Sequence, residues 1–265
     1  MLSGEALPRL PYPAPSLKAG IKALLFDLDG TLLDTAADLI QTGHVMREIF
    51  RLAPLSDAQI LTFVGKGAER FVHRLLTGDL SADAEASAHA IAMQHFSDVY
   101  RRYNGQWARP YAGVVHGLEQ LKAAGFPMAV VTNKAQAFTD ALLVRSDLSR
   151  YFRFALGGDA LPFKKPRPEP LWQAASMLGF RPSEVLMLGD SQNDAQAARA
   201  AGMLCFLVPY GYREGVDLEQ IACDGIVPDI KTFAQWTLQA SHLPCPAPDA
   251  GDAVVKQPLG SDVHN

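Results

Sequence analysis

Cysteine is scarce in this chain of 265 residues: Cys205, Cys223 and Cys245 stand far apart, without the paired spacing of a metal site. So odd and sparse a set excludes a disulfide framework and suits a reducing, cytoplasmic compartment. Long apolar runs are missing too; none approaches the roughly 18 residues of a membrane span. The opening, with Pro8, Pro11, Pro13 and Pro15, has no apolar stretch of secretory type. There is no excess of basic charge: 24 Lys and Arg against 28 Asp and Glu leave a net −4, which argues against nucleic acid as a partner. No Gly-x-Gly-x-x-Gly follows a strand-like run, so a dinucleotide cofactor is not expected. Gly65-Lys66-Gly67 is no Walker loop, because neither Ser nor Thr follows the lysine. Internal repeats are absent as well.

What is present is an ordinary supply of core and surface, 48% apolar and 20% charged residues. That suits one large domain, or a core with a modest second module. Apolar runs of β type recur at 23–26, 128–131, 152–156, 185–188 and 203–208. Apart from 152–156, which is mixed, they are apolar throughout, as strands covered on both faces should be. Helical patterns at 117–124, 135–145, 169–178 and 193–201 separate them. The alternation predicts an α/β fold: a doubly wound, Rossmann-like parallel sheet with right-handed crossovers. From 35 to 106 there is no convincing strand, and successive helices are expected, including 68–76 and 82–103. Some 70 residues exceed any ordinary connection, so this block reads as a small helical cap hinged near Thr35 and Pro110. The core is then 21–34 with 107–240. Residues 1–20 read as a flexible lead-in and 241–265, rich in Pro and Gly, as a disordered tail.

The most telling stretch is Phe-Asp-Leu-Asp-Gly-Thr-Leu-Leu-Asp-Thr at 26–35. An apolar strand delivers Asp27 and Asp29 to its carboxyl end, where ligands bind in open α/β sheets. Asp-Gly also makes turns, and Asp34 could cap the next helix. Yet two carboxylates two residues apart repel and desolvate each other unless a cation or a shared proton compensates. Three further segments end strands or open helices in the same way: Thr132-Asn133-Lys134, Lys164-Lys165-Pro166, and Gly189-Asp190-Ser191-Gln192-Asn193-Asp194. In a parallel sheet all four converge on one edge. Carboxylates, a hydroxyl, an amide and an ammonium together suit Mg²⁺-dependent phosphoryl transfer on a small phosphorylated metabolite.

This layout resembles the haloacid dehalogenase superfamily over about residues 21–240, with its motifs complete and in order. Within it the chain is most similar to phosphoglycolate phosphatases. The shared stretches are 26–35, Val-Gly-Lys-Gly-Ala (64–68), Val-Val-Thr-Asn-Lys (130–134), Gly-Gly-Asp (157–159), Lys-Lys-Pro-Arg-Pro-Glu-Pro-Leu (164–171), 189–194 and Tyr-Gly-Tyr (210–212). The resemblance implies hydrolysis of 2-phosphoglycolate through an aspartyl-phosphate. Asp27 would be the nucleophile and Asp29 the acid and base. Asp190 would hold Mg²⁺ with Asp27 and the backbone carbonyl of Asp29. Thr132, Asn133 and Gly30 would meet the phosphoryl group, and Lys165 would tie it to Asp27. On charge alone Lys134 or Lys164 could serve in place of Lys165.

Asp194 could orient a metal-bound water, or simply favour the first turn of its helix. In the cap, Lys66 and Arg70 at a glycine-flanked helix start could meet a substrate carboxylate, or be solvated charges. Other readings are a phosphatase of sugar phosphates, a phosphomutase, a phosphonate hydrolase, and a silent sensor of a phosphate ligand. The sequence carries no expectation about oligomeric state.

Overall fold

The structure, a computed structural model, describes residues 20–241; the expected lead-in before Gly20 and the tail beyond 241 lie outside the described residues. The chain begins with β1 (Ala23–Phe26) and the short β2 (Leu33–Asp34). Four helices follow: α1 (Ala36–Ile49), α2 (Asp57–Thr62), α3 (Gly67–Thr77) and α4 (Ala86–Tyr103). Strand β3 (Arg109–Pro110) then leads to α5 (Val114–Ala123), β4 (Met128–Val131), α6 (Gln136–Arg145) and β5 (Ala155–Leu156). The remainder is α7 (Glu169–Leu178), β6 (Val185–Gly189), α8 (Gln192–Ala201), β7 (Leu204–Leu207), β8 (Gly225–Ile226) and α9 (Ile230–Ser241).

Six strands form one parallel sheet in the order β5-β4-β1-β6-β7-β8. Both faces are covered, and the two-residue period of a strand divides the core between them. Leu24 and Phe26 of β1 share one cluster with Val114 and Leu118 of α5 and Phe233 of α9. Ala23 and Leu25 belong to the other, with Leu171 of α7 and Ala198 of α8. Phe26 is fully buried and meets Phe152 and Phe233 edge to face at 5.8 and 5.9 Å. Burying a side chain of this size contributes about 1.5–3 kcal/mol, which anchors the residue just before Asp27.

The expected run at 152–156 pairs only over its last two residues, since the preceding segment leaves a 3₁₀ turn at Ser149–Tyr151. Strand β8 has no apolar run to announce it, being two half-buried residues at the sheet's edge. Near Thr35 and Pro110, the chain forms an antiparallel ribbon, Leu33 opposite Pro110 and Asp34 opposite Arg109. Helix α4 starts four residues later than the pattern suggests. Asp79 draws Ser81 and Ala82 into a turn through their amides, and Glu85 caps the helix by accepting from Ser87 and Ala88.

Helices α1–α4 have a core of their own, built on Met46, Ile60, Phe71, Leu75, Phe96 and Tyr100. The block is joined to the sheet domain by polar contacts. Arg74 donates to Glu214 at 2.6 Å, with both side chains buried, and Asn133 donates to the Gly65 carbonyl at 3.0 Å. Strands β1, β4 and β5 step one way across the sheet and β6, β7 and β8 the other, so the winding reverses between β1 and β6. The crevice of such a sheet opens there, at the strands' carboxyl ends.

Candidate active site

Asp27 leaves β1 with its amide bonded to Leu188 of β6 at 2.9 Å, and the Leu28 amide donates to its Oδ1 at 2.7 Å. Leu28 is wholly buried, so the alternating chain turns Asp27 and Asp29 to the same side, and both line one cavity. Around them on the core side stand Thr132, Asn133, Lys134 and Asp190. The roof comes from the helical block: Leu39, Val64, Phe71, Phe96 and Tyr100.

Asp190 follows β6 directly across the point of reversal. Thr31 donates its hydroxyl to Oδ1 at 2.8 Å, and the Tyr212 amide donates to Oδ2 at 2.6 Å. Backbone without side chains walls it in: a Cβ on Gly30 would lie 2.5 Å from Oδ2, and one on Gly211 at 2.2 Å. Gly30 also has φ +83, the left-handed region that glycine adopts without strain.

Lys165 is buried with its ammonium 2.9 Å from Asp27 Oδ1, 2.7 Å from Asp194 Oδ1 and 2.7 Å from the Val131 carbonyl. Three acceptors satisfy all three of its donors. Burial alone would favour discharge, but the charges of Asp194 and Asp27 outweigh it and hold the pKa above that of an ordinary lysine. Lys164 is turned away, to Glu69 of α3 at 2.9 Å. Asp194 takes the second reading of its position, in the first turn of its helix. As the N3 residue of α8 it accepts the Ser191 amide and hydroxyl at 3.1 and 2.8 Å, while its other oxygen holds Lys165.

The electrostatics are unbalanced in one place. Burial, opposed by Lys165 and aided by Asp194, pushes the Asp27 carboxyl up to about 6. Burial together with Asp194 and Asp27 pushes Asp190 well above the carboxylate range. Oxygens of Asp27, Asp190 and Asp194 lie within 4.8 Å of one another. A hard divalent cation fits such an all-oxygen set, and Asp190 has no cationic side chain paired with it among the described residues.

Asp29 is held differently. It lies outside that cluster; Lys134 meets its two oxygens at 3.0 and 3.1 Å, and Thr35 donates to Oδ1 at 2.8 Å. Lys134 also donates to the Tyr100 hydroxyl, from α4. Asn133 holds the loops together, donating to the carbonyls of Gly65 and Lys165 at 3.0 and 2.8 Å. Thr132 accepts the Lys134 amide at 3.3 Å and faces the cavity.

Three expected substrate contacts are not placed in the cavity. Gly30 is spent on the turn: its amide donates to the Leu33 carbonyl at 2.9 Å, and its open face receives Asp190. Arg70 is drawn sideways along the helical block by Asp83 and by the Leu80 carbonyl at 2.9 Å. Lys66, 42% exposed, leans toward Glu214 at 3.7 Å. For Gly30 and Arg70 a protein partner satisfies the group that the expectation assigned to substrate, and Lys66 lies outside the cavity lining. Because exposed ion pairs contribute little, Arg70→Met should change kcat/KM on acidic and neutral esters alike by less than about threefold. A selective loss on the acidic ester would contradict this placement.

A doubly wound core with acids gathered at its winding reversal, roofed by inserted helices, describes the class of enzyme. The haloacid dehalogenase-like hydrolase family model matches residues 24–208, and the chain belongs to that family. It is 46% identical over 219 residues to the phosphoglycolate phosphatase of Nitrosospira multiformis, covering 83% of this chain and 94% of that one. The phosphoglycolate phosphatase of Thiobacillus denitrificans is 42% identical over 230 residues, 86% and 99% of the two chains. Among solved structures, a predicted phosphoglycolate phosphatase from Haemophilus somnus superposes with a TM-score of 0.77 at 30% identity, covering 83% and 99%. No helix among the described residues is long and apolar enough to cross a membrane.

Proposed function

We propose that the chain is a cytoplasmic, Mg²⁺-dependent phosphomonoesterase that hydrolyses 2-phosphoglycolate to glycolate and phosphate, with residues 35–106 acting as its cap. The observation that carries the reading is Asp27 at the carboxyl end of β1, gripped by buried Lys165 and facing Asp190 across the reversal. The substrate is supported by the relatives named phosphoglycolate phosphatase that match most of the chain. The cavity roof argues the same way, because the side chains the helical block places there are apolar apart from the Tyr100 hydroxyl. A polyhydroxy sugar would leave hydroxyls without partners there, at a cost for each buried one.

Asp27 attacks phosphorus; the Asp27 oxygen–phosphorus bond forms as the ester oxygen–phosphorus bond breaks. Asp29 gives its proton to the departing glycolate oxygen. It then takes one from the water that attacks the phosphorylated Asp27, which frees phosphate and restores both carboxyls. Lys165 stays charged throughout and offsets the repulsion between Asp27 and the phosphoryl oxygens. Thr132 offers its hydroxyl to one of those oxygens. Asp27, Asp190 and the Asp29 carbonyl would hold Mg²⁺, whose charge supports the same approach of anion to anion. Asp194 acts through Lys165 and the start of α8. The phosphonate route would need a cap lysine in the cavity to form an imine, and Lys66, the block's lysine, does not line it.

Ranking a panel of phosphorylated metabolites by kcat/KM tests the substrate, which is wrong if a sugar phosphate leads. The metal has its own test. Without it, the folded chain keeps the Asp27 proton more tightly than the unfolded one, so stability falls as pH rises from 3.8 to about 6. Above that range Mg²⁺ at about a hundred times its Kd should raise Tm by roughly 5–10 °C. The rise should shrink as pH drops through the Asp27 titration and vanish in Asp190→Ala. EDTA should stop turnover, and added Mg²⁺ should restore it. Full activity in metal-free buffer, or no Tm response, would remove this site.

A further inference from the structure

We propose that Lys134, steered by Tyr100, is the group that reads the substrate's carboxylate and so sets the enzyme's preference for an acidic phosphate ester; this rests on the phosphoglycolate reading above. Among the described residues, Lys134 is the one cation that lines the cavity. Lys165 lies behind Asp27 with its donors spent, and Lys66 and Arg70 are engaged elsewhere. The ammonium of Lys134 is 3.0 Å from Asp29 Oδ1 and 4.7 Å from the centre of the Tyr100 ring. Asp29 marks where the ester oxygen must lie, since its proton goes there. In 2-phosphoglycolate one methylene separates that oxygen from the carboxyl carbon, so a group touching Asp29 is also within reach of the carboxylate.

The surroundings of Lys134 strengthen the case. Its side chain is only 4% exposed, and Asp29 and Tyr100 hold it from either side, so its ammonium is presented to the cavity from a fixed position. A buried ammonium gains from a further anionic partner, which a substrate carboxylate supplies and a neutral ester cannot. Tyr100 brings the helical block into the same contact: its hydroxyl, with the Phe96 ring stacked on it and the Phe138 ring packed edge to face, fixes where the ammonium points. Specificity then comes from a core lysine aimed by a cap tyrosine.

The test compares wild type with Lys134→Gln on 2-phosphoglycolate, on its neutral amide 2-phosphoglycolamide, and on ethyl phosphate. Wild type should prefer the acid. Lys134→Gln should lose about tenfold to a hundredfold more kcat/KM on the acid than on either neutral ester, the value of one charge-assisted hydrogen bond. A higher KM for the acid alone should accompany it. Some loss on the neutral esters is expected too, because Lys134 also positions Asp29. Parallel losses on all three would overturn the inference and leave Lys134 a positioning residue only, with the substrate reading intact. If wild type shows no preference for the acid, the substrate reading fails and this inference with it. Should Lys134→Gln fail to fold by circular dichroism, Tyr100→Phe takes its place. A smaller loss confined to the acid supports the inference, and a parallel loss or none overturns it.

Discussion

Replacing Asp27 with Asn is expected to lower kcat by at least about 10⁴-fold, the scale on which loss of a covalent nucleophile acts. An amide is uncharged and a poor nucleophile, and no neighbour can take its place. Asp29 is committed to Lys134 and Thr35, Asp190 to Thr31 and Tyr212, and Asp194 to Lys165 and Ser191. The fold should survive, since Asn keeps the oxygen that accepts from Leu28 and from Lys165. Acid quenching of wild type during turnover should trap phosphate on Asp27, which peptide mapping would locate; the variant should trap none. If Asp27→Asn still turns over near the wild-type rate after mass spectrometry excludes deamidation, attack by Asp27 is wrong.

Much of this site is legible in the amino-acid sequence, for a physical reason. A strand covered on both faces must be apolar throughout, so β1, β4, β6 and β7 stand out, and the polar residues just after them fall on one edge. What stays hidden is which partner each group takes. Lys134, Lys164 and Lys165 carry equal charge in the sequence. In the structure they meet Asp29, Glu69 and Asp27 respectively, from three different parts of the chain. The turn at Lys66 looks open to an anion because Glu214, which occupies it, lies on a distant loop. Tyr100 reads as one more apolar-face residue of α4, and only packing shows that its hydroxyl reaches Lys134. Strands β2, β3 and β8 escape because two-residue pairings leave no periodicity to see.

Asp29→Asn should produce the other large effect, and its size should depend on the alcohol being released. General acid catalysis is worth about 10²–10⁴-fold where the leaving group needs a proton. Glycolate leaves as a basic alkoxide unless protonated, whereas an aryl oxide leaves with little help. Phosphorylation of Asp27 should therefore slow by about 10²–10⁴-fold with 2-phosphoglycolate and by far less with an aryl phosphate. Steady-state rates would blur the contrast, because both substrates share the second step, in which Asn cannot take the proton from water. That shared step predicts a burst: with the aryl phosphate, one equivalent of phenol should appear quickly and phosphate slowly. The arrangement at Asp29 makes the test sharp. Its oxygens meet Lys134 and Thr35, not the acidic cluster of Asp27, Asp190 and Asp194, so Asn should leave those three acids undisturbed. The Mg²⁺-induced rise in Tm should persist in this variant, which separates loss of the proton donor from loss of the metal. Single-turnover release of the two alcohols is the measurement. Equal slowing of glycolate and phenol, with no burst, would mean that Asp29 positions its neighbours and does not carry the proton.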